Sequence, residues 1–295
     1  MYGALSKNII TAIIAALPVV TMVSCSGNQQ KSENEVKAEA LLKNVQSLYE
    51  EAKYDDAMTM IDSLMKVYPG ELDVQRRALH VKTLINEKLI FNDSIANEEL
   101  YAQSKQMVDS LGARFKFMKE KDMVEGYYIS KSLNNDALIK TTGLMPRVGE
   151  DGSLSLVSSL YGHSIKHTRL SATANDSTVT TVDVPVSNDR NYRFNDNGVP
   201  VEMVTFTMKE CDSLCHFITE NAGTNIRLTF ESGKKKHATT LSKKTKEIIS
   251  ETYEYSHSLQ DLEKAEMDRV KFAKKLQLSR KQIKQTATNI QGNRE

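Results

Sequence analysis

Tryptophan is absent from this chain of 295 residues, proline occurs 5 times and cysteine 3 times. So little proline argues against a Pro-rich disordered polymer, and 40% hydrophobic residues supply enough apolar surface for folded cores. Of the cysteines only Cys211 and Cys215 lie near one another, so the paired short-spaced clusters typical of structural zinc sites are missing. No Gly-rich phosphate loop, nucleophile elbow or H-E-x-x-H helix occurs, which removes the commonest signatures of nucleotide, acyl-transfer and zinc-protease chemistry. A strong overall charge is also lacking: the formal net charge is +1. The balance is uneven, however. Residues 233–295 hold 15 Lys and Arg against 8 Asp and Glu, whereas residues 31–140 are slightly acidic, so the two regions can attract each other. A length of 295 residues allows one large domain or two to three small ones.

No apolar run is long enough to cross a bilayer comfortably. The best, residues 9–23, is interrupted by Pro18 and falls short of the roughly 20 residues a spanning helix needs. With Lys7 before it and Ser24-Cys25 after it, the run reads as a signal segment, residues 1–24. Met22-Val23-Ser24-Cys25 resembles the lipobox of bacterial lipoproteins, with Met22 in place of the usual Leu and Val23 bulkier than the commonest choice. The resemblance implies diacylation of the Cys25 thiol, cleavage before it and attachment to a membrane. Ser26 stands where an inner-membrane retention signal would place Asp, which implies sorting to the outer membrane of a double-membraned envelope, on its periplasmic or its outer face. The alternative is an ordinary secretory signal with a chance cysteine. Residues 25–35 are polar with nothing to bury and read as a lipidated cysteine and flexible tether.

Helical periodicity begins at Val36. Ala38, Leu41, Leu42, Val45, Leu48 and Tyr49 mark one helix, and Met58, Ile61, Leu64, Met65 and Tyr68 a second that Pro69-Gly70 ends. Ala57, Ile61 and Pro69 fall at the spacing of a tetratricopeptide repeat, which the stretch resembles, while Val45 and Leu64 depart from its small positions. No second copy follows, and such repeats need about three copies for a stable solenoid. A single degenerate unit and a plain helical hairpin both remain open. Further helix is expected from residue 73 to about 121, with a break near Phe91-Asn92-Asp93-Ser94 and a seam of Leu100, Met107, Leu111, Phe115 and Met118 around a gap at Ser104.

At the far end, Ile248, Thr252, Tyr255, Leu259, Leu262, Glu266, Arg269, Ala273, Leu276, Arg280, Ile283, Ala287 and Ile290 alternate steps of four and three. Heptad spacing with three charged members predicts a long basic amphipathic helix or an antiparallel coiled coil rather than a strict zipper. Interspersed acids and the lack of interleaved aromatics argue against nucleic acid as its partner.

Between the helical regions, 36–140 and 241–295, the period changes to two. Strands are expected at residues 154–160, 168–172, 178–184, 201–207 and 225–230, with a helix at 210–221 and tight turns at Asp151-Gly152 and Asn197-Gly198. The predicted class is α+β: a helical hairpin and long amphipathic or coiled-coil helices flank an inserted small antiparallel β module, residues 141–240.

The chemistry-bearing residues of that module are Cys211, Cys215 and His216, with His163 and His167 before a strand. Cysteines four apart on a helix read as small hydrophobes facing a sheet, as a disulfide or as a fragment of a metal site. Asp189, Asn195 and Asn197-Gly198 lack the closing Glu of a calcium loop and read as a turn. Tyr127, Tyr128, Tyr161 and Tyr192 offer stacking surfaces for a glycan or peptide. His80, His237 and His257 are scattered singly among charged residues and carry no catalytic role. The expectation is a membrane-anchored scaffold or adaptor that binds another envelope protein, without cofactor, resident metal or catalytic residues. A β head that captures a glycan or peptide is the alternative.

Overall fold

The computed structural model describes residues 32–119, 125–133 and 140–292. The signal segment, Cys25 and the tether through residue 31 lie outside them. Two compact units divide the chain, Met1–Ala78 and Leu79–Glu295.

In the first unit, α1 (Glu33–Glu50) and α2 (Tyr54–Val67) form the anticipated hairpin. Helix α1 starts earlier than the polar composition suggested, because Ser32 caps it by accepting the Glu35 N–H at 3.0 Å. The buried residues repeat at helical spacing: Ala38, Leu42 and Val45 on α1, and Ala57, Ile61 and Leu64 on α2. Helix α3 (Leu72–Gly112) begins in this unit, burying Val74 and Ala78. Arg77 joins it to α1 through two hydrogen bonds to Glu39, at 2.5 and 3.1 Å.

In the second unit α3 continues unbroken past Asn92-Asp93. The expected break does not form, since Ser94 satisfies its hydroxyl on the Phe91 carbonyl within the helix. The helix also ends at Gly112 rather than near residue 121. Phe115 and Met118, read as seam residues, instead belong to β1 (Phe115–Met118). The other strands are β2 (Tyr127–Ser130), β3 (Gly143–Gly149), β4 (Leu154–Tyr161), β5 (Arg169–Ala174), β6 (Ser177–Thr180), β7 (Asn191–Asp196), β8 (Val199–Thr207), β9 (Arg227–Ser232) and β10 (Lys235–Thr240). Helix α4 (Met208–Glu220) follows β8, and α5 (Lys243–Gln291) follows β10.

The fold is α+β, with all strand pairs antiparallel. One sheet has the order β1-β2-β3-β4-β8-β7 and the other β10-β9-β5-β6. Asn197-Gly198 makes the β7–β8 hairpin with φ of 48° and 86°, as that dipeptide predicts. Sheet residues Leu154, Leu156, Leu170, Phe206, Leu228 and Phe230 pack with Cys211, Leu214 and Ile218 of α4 and Ile249 of α5 in one buried core.

The two long helices run antiparallel in this unit. His80 Nδ1 meets Thr286 Oγ1 at 2.8 Å, the Asn97 side chain donates to the Ala265 carbonyl at 2.9 Å, Glu98 pairs with Arg269, and Arg114 pairs with Glu251. The seam differs in phase from its sequence reading. Ala265 and Ser279 are buried where Glu266 and Arg280 were expected; on α3 Leu111 is buried as expected and so is Ser104 at the expected gap, but Asn97 is buried while Leu100 and Met107 are not. Small and neutral polar side chains fill the contact, so the charged members move to its flanks, where Arg269 and Arg280 reach Glu98 and Glu87. An aromatic junction fixes this arm to the sheet: Phe115 stacks on Tyr255 with centroids 4.5 Å apart, and Tyr128 meets the same ring edge-on. The Gly152 carbonyl, in the β3–β4 turn, accepts from Ser256 Oγ and Gln260 Nε2 of α5.

Candidate functional site

The most organised polar cluster lies inside the β head. Ser158 occupies the phase of β4 otherwise held by Leu154, Leu156 and Leu160, and Glu202 the phase of β8 held by Val204 and Phe206. Both side chains are buried and face His167, in the segment leading into β5. Ser158 Oγ lies 2.8 Å from His167 Nε2, and His167 Nδ1 lies 2.8 Å from Glu202 Oε2. The backbone N–H groups of Lys166 and His167 donate to the same carboxylate at 2.5 and 2.8 Å. Burial opposes the Glu202 charge, but hydrogen bonds from the His167 ring and from these two amides outweigh it and hold the carboxyl below its usual range. An ionised Glu202 only accepts, so Nδ1 carries a proton. The Ser158 hydroxyl also faces the Val204 carbonyl oxygen at 3.3 Å, and its single proton serves one acceptor or the other.

A serine, a histidine and a carboxylate in sequence have the order of an acyl-transfer relay. Access decides against that use: Ser158 and His167 are 0% exposed and Glu202 is 1% exposed. A substrate carbonyl cannot approach Ser158 Oγ unless the core is opened. The cluster instead cross-links β4, β8 and the entry to β5, satisfying polar groups that would otherwise be stranded between the sheets. Sequence reasoning placed His167 only beside the cysteine cluster, with metal as one of three readings, and missed its partners. The usable signal was there: two polar residues sit in the apolar phases of neighbouring strands.

The remaining sequence candidates do not converge. Cys211 and Cys215 are free thiols buried in the core, and the Cys211 neighbour together with burial pushes the Cys215 thiol well up. His216 projects from the other side of α4, half exposed, beside Glu220 and Tyr253. Among the described residues no group of three or more His, Cys, Asp and Glu is placed to hold a metal. His163 packs on His237, with ring centroids 3.9 Å apart, away from the cysteines. Tyr127 is buried under Arg147, Tyr128 belongs to the aromatic junction, and Tyr192 stands exposed on the edge strand β7 beside Phe194. His257 Nε2 donates to Asp212 Oδ1 at 2.9 Å across α4 and α5, bordering a shallow pocket of about 390 Å³ lined in part by Ser213, His216, Glu220 and Tyr253.

The described residues thus define an α+β protein with a long antiparallel helical arm and a two-sheet head. No family model, no curated protein and no solved structure matches the chain.

Proposed function

We propose that the protein is a lipid-anchored scaffold or adaptor of the bacterial cell envelope, held at the outer membrane by acyl chains on Cys25, and that its helical faces bind another envelope protein. The observation that carries this reading is the helical arm. Residues 79–112 of α3 alone extend about 50 Å. The inner seam of the arm is occupied by its own side chains, while Phe91 and Ile95, one turn apart on α3, are 44% and 45% exposed. An i, i+4 pair of large apolar side chains on a rigid helix is the kind of anchor that partner proteins engage. The buried setting of Ser158, His167 and Glu202 supports a non-enzymatic role. The tetratricopeptide-like hairpin α1/α2 fits a packing element in such a protein.

The test is photo-crosslinking in intact cells from probes at positions 91 and 95, with position 104 in the buried seam as control. One discrete protein adduct from 91 and 95 and none from 104 is expected. No specific adduct, together with saturable glycan or peptide binding at the exposed Tyr192 edge of β7, would replace this reading with that of a capturing head.

A further inference from the structure

The outward face of α5 beyond Asp268 is built differently from the rest of the helix. Residues 269–291 hold seven Lys and Arg and no Asp or Glu. Arg269 and Arg280 are committed to Glu98 and Glu87 of α3, and Lys271 to Asp268. Lys274, Lys281 and Lys284 are exposed and make no ion pair among the described residues. Met267, Val270, Lys274, Leu278 and Lys281 follow one another by three and four residues, so they form a single stripe. This stripe lies opposite the seam marked by Ala265 and Ser279. Its three aliphatic side chains are 51%, 57% and 61% exposed for Met267, Val270 and Leu278. Beside the stripe runs a groove of about 510 Å³ bordered by Ala273, Leu276, Gln277, Arg280, Lys281 and Lys284.

Exposed aliphatics alternating with unpaired lysines on one helix face match the boundary between acyl chains and anionic headgroups. The aliphatic side chains enter the apolar layer, and the lysine stems lie along it while their ammonium groups reach the phosphates. An acidic protein surface would pair the lysines but would leave Met267, Val270 and Leu278 without purpose. We propose that this face of α5 docks on anionic phospholipid, laying the arm on the membrane surface. The proposal deepens the envelope-scaffold reading and draws on it: an anchor at Cys25 precedes α1 by few residues, and residues 26–32, fully extended, span only about 25 Å. That short reach keeps the folded chain at high effective concentration near lipid.

The test uses the chain from Ser26 onward, which retains every described residue and bears no lipid. Its flotation with vesicles of phosphatidylcholine is compared with flotation on vesicles of phosphatidylcholine mixed with phosphatidylglycerol. Binding to the mixed vesicles alone, weakened by salt, is expected. Because each lysine near an anionic surface adds to the attraction, the combined change Lys274→Glu, Lys281→Glu and Lys284→Glu should weaken binding at least about tenfold. Leu278→Ser should weaken it as well, and unchanged helicity and thermal midpoint show that the variants fold. Equal binding to both vesicles, no binding, or a triple variant that binds like the parent overturns the proposal. Self-association that Leu278→Ser abolishes, without vesicle binding, assigns the face to a second copy instead and also overturns it. Because this chain lacks the lipid, the outcome is independent of whether Cys25 is acylated, which acyl labelling of the full chain tests separately.

Discussion

Glu202 is a carboxylate with 1% exposure, kept ionised against its burial by the His167 ring and the Lys166 and His167 amides. Breaking a buried pair from one side leaves the other charge or donor uncompensated, so Glu202→Gln should destabilise the protein by about 3 kcal/mol in urea titrations near neutral pH. The acid response follows from two carboxyls. Burial opposes the charge of Glu202, but the His167 and Lys166 bonds lower its pKa. Arg190, hydrogen-bonded through both terminal nitrogens, together with Thr207 brings Glu210 to about 2. A folded-state pKa below the unfolded value of about 4.3 means that the stabilisation is present above that pH and is lost as pH falls through the depressed value. The urea midpoint should therefore decline from about pH 5 downward, and less steeply in the Glu202→Gln and Glu210→Gln variants; parallel curves would contradict this assignment. Among single residues, the Asn197-Gly198 turn was legible because positive φ restricts the choice of residue. The Ser158–His167–Glu202 contact joins three segments, and its pairing depends on two sheets meeting, which no local pattern contains.

For the elements, legibility followed the strength of the period. Strands β4 and β8 were readable from the two-residue repeat of Leu154, Leu156 and Leu160 and of Val204 and Phe206. Strand β3 contains Pro146, tolerated because β2 pairs only with Val148 and Gly149 and leaves that end of β3 with one neighbour. Strand β10 is an edge strand that starts Lys235-Lys236-His237, a polar composition that protects a free edge and hides its secondary structure. Strand β1 was absorbed into a helical pattern because Leu111, Phe115 and Met118 continue steps of three and four across the helix end. On α5 the heptad count was right in its first turns and then wrong by one residue, because a step of three follows another step of three between Leu259, Leu262 and Ala265. Two substitutions test the resulting packing. Ala265→Leu, at the buried contact with Asn97, should cost about 1–3 kcal/mol by overpacking, whereas the same change at Ala273, which the sequence placed in the seam, should cost less. Tyr255→Ala removes the ring that joins Phe115 and Tyr128 and should cost about 3–5 kcal/mol of unfolding free energy in urea titrations.

At the scale of the whole molecule, the α+β class was readable from the change of period along the chain, and the interruption of helix by sheet is real, although the sheet begins at Phe115 rather than near residue 141. The arm and the head form within one chain unit, while the helical hairpin α1/α2 belongs to the other. The proposed scaffold would act by position, so the proposal depends on attachment at Cys25 more than on any side chain of the head. Cells expressing the full chain or its Cys25→Ala variant, labelled with a palmitate analogue and separated into membrane and soluble fractions, give the most direct test. The account predicts a labelled, membrane-bound parent and an unlabelled variant released from the stable membrane fraction. Lipid labelling that survives Cys25→Ala, or a parent that is never labelled, would contradict it.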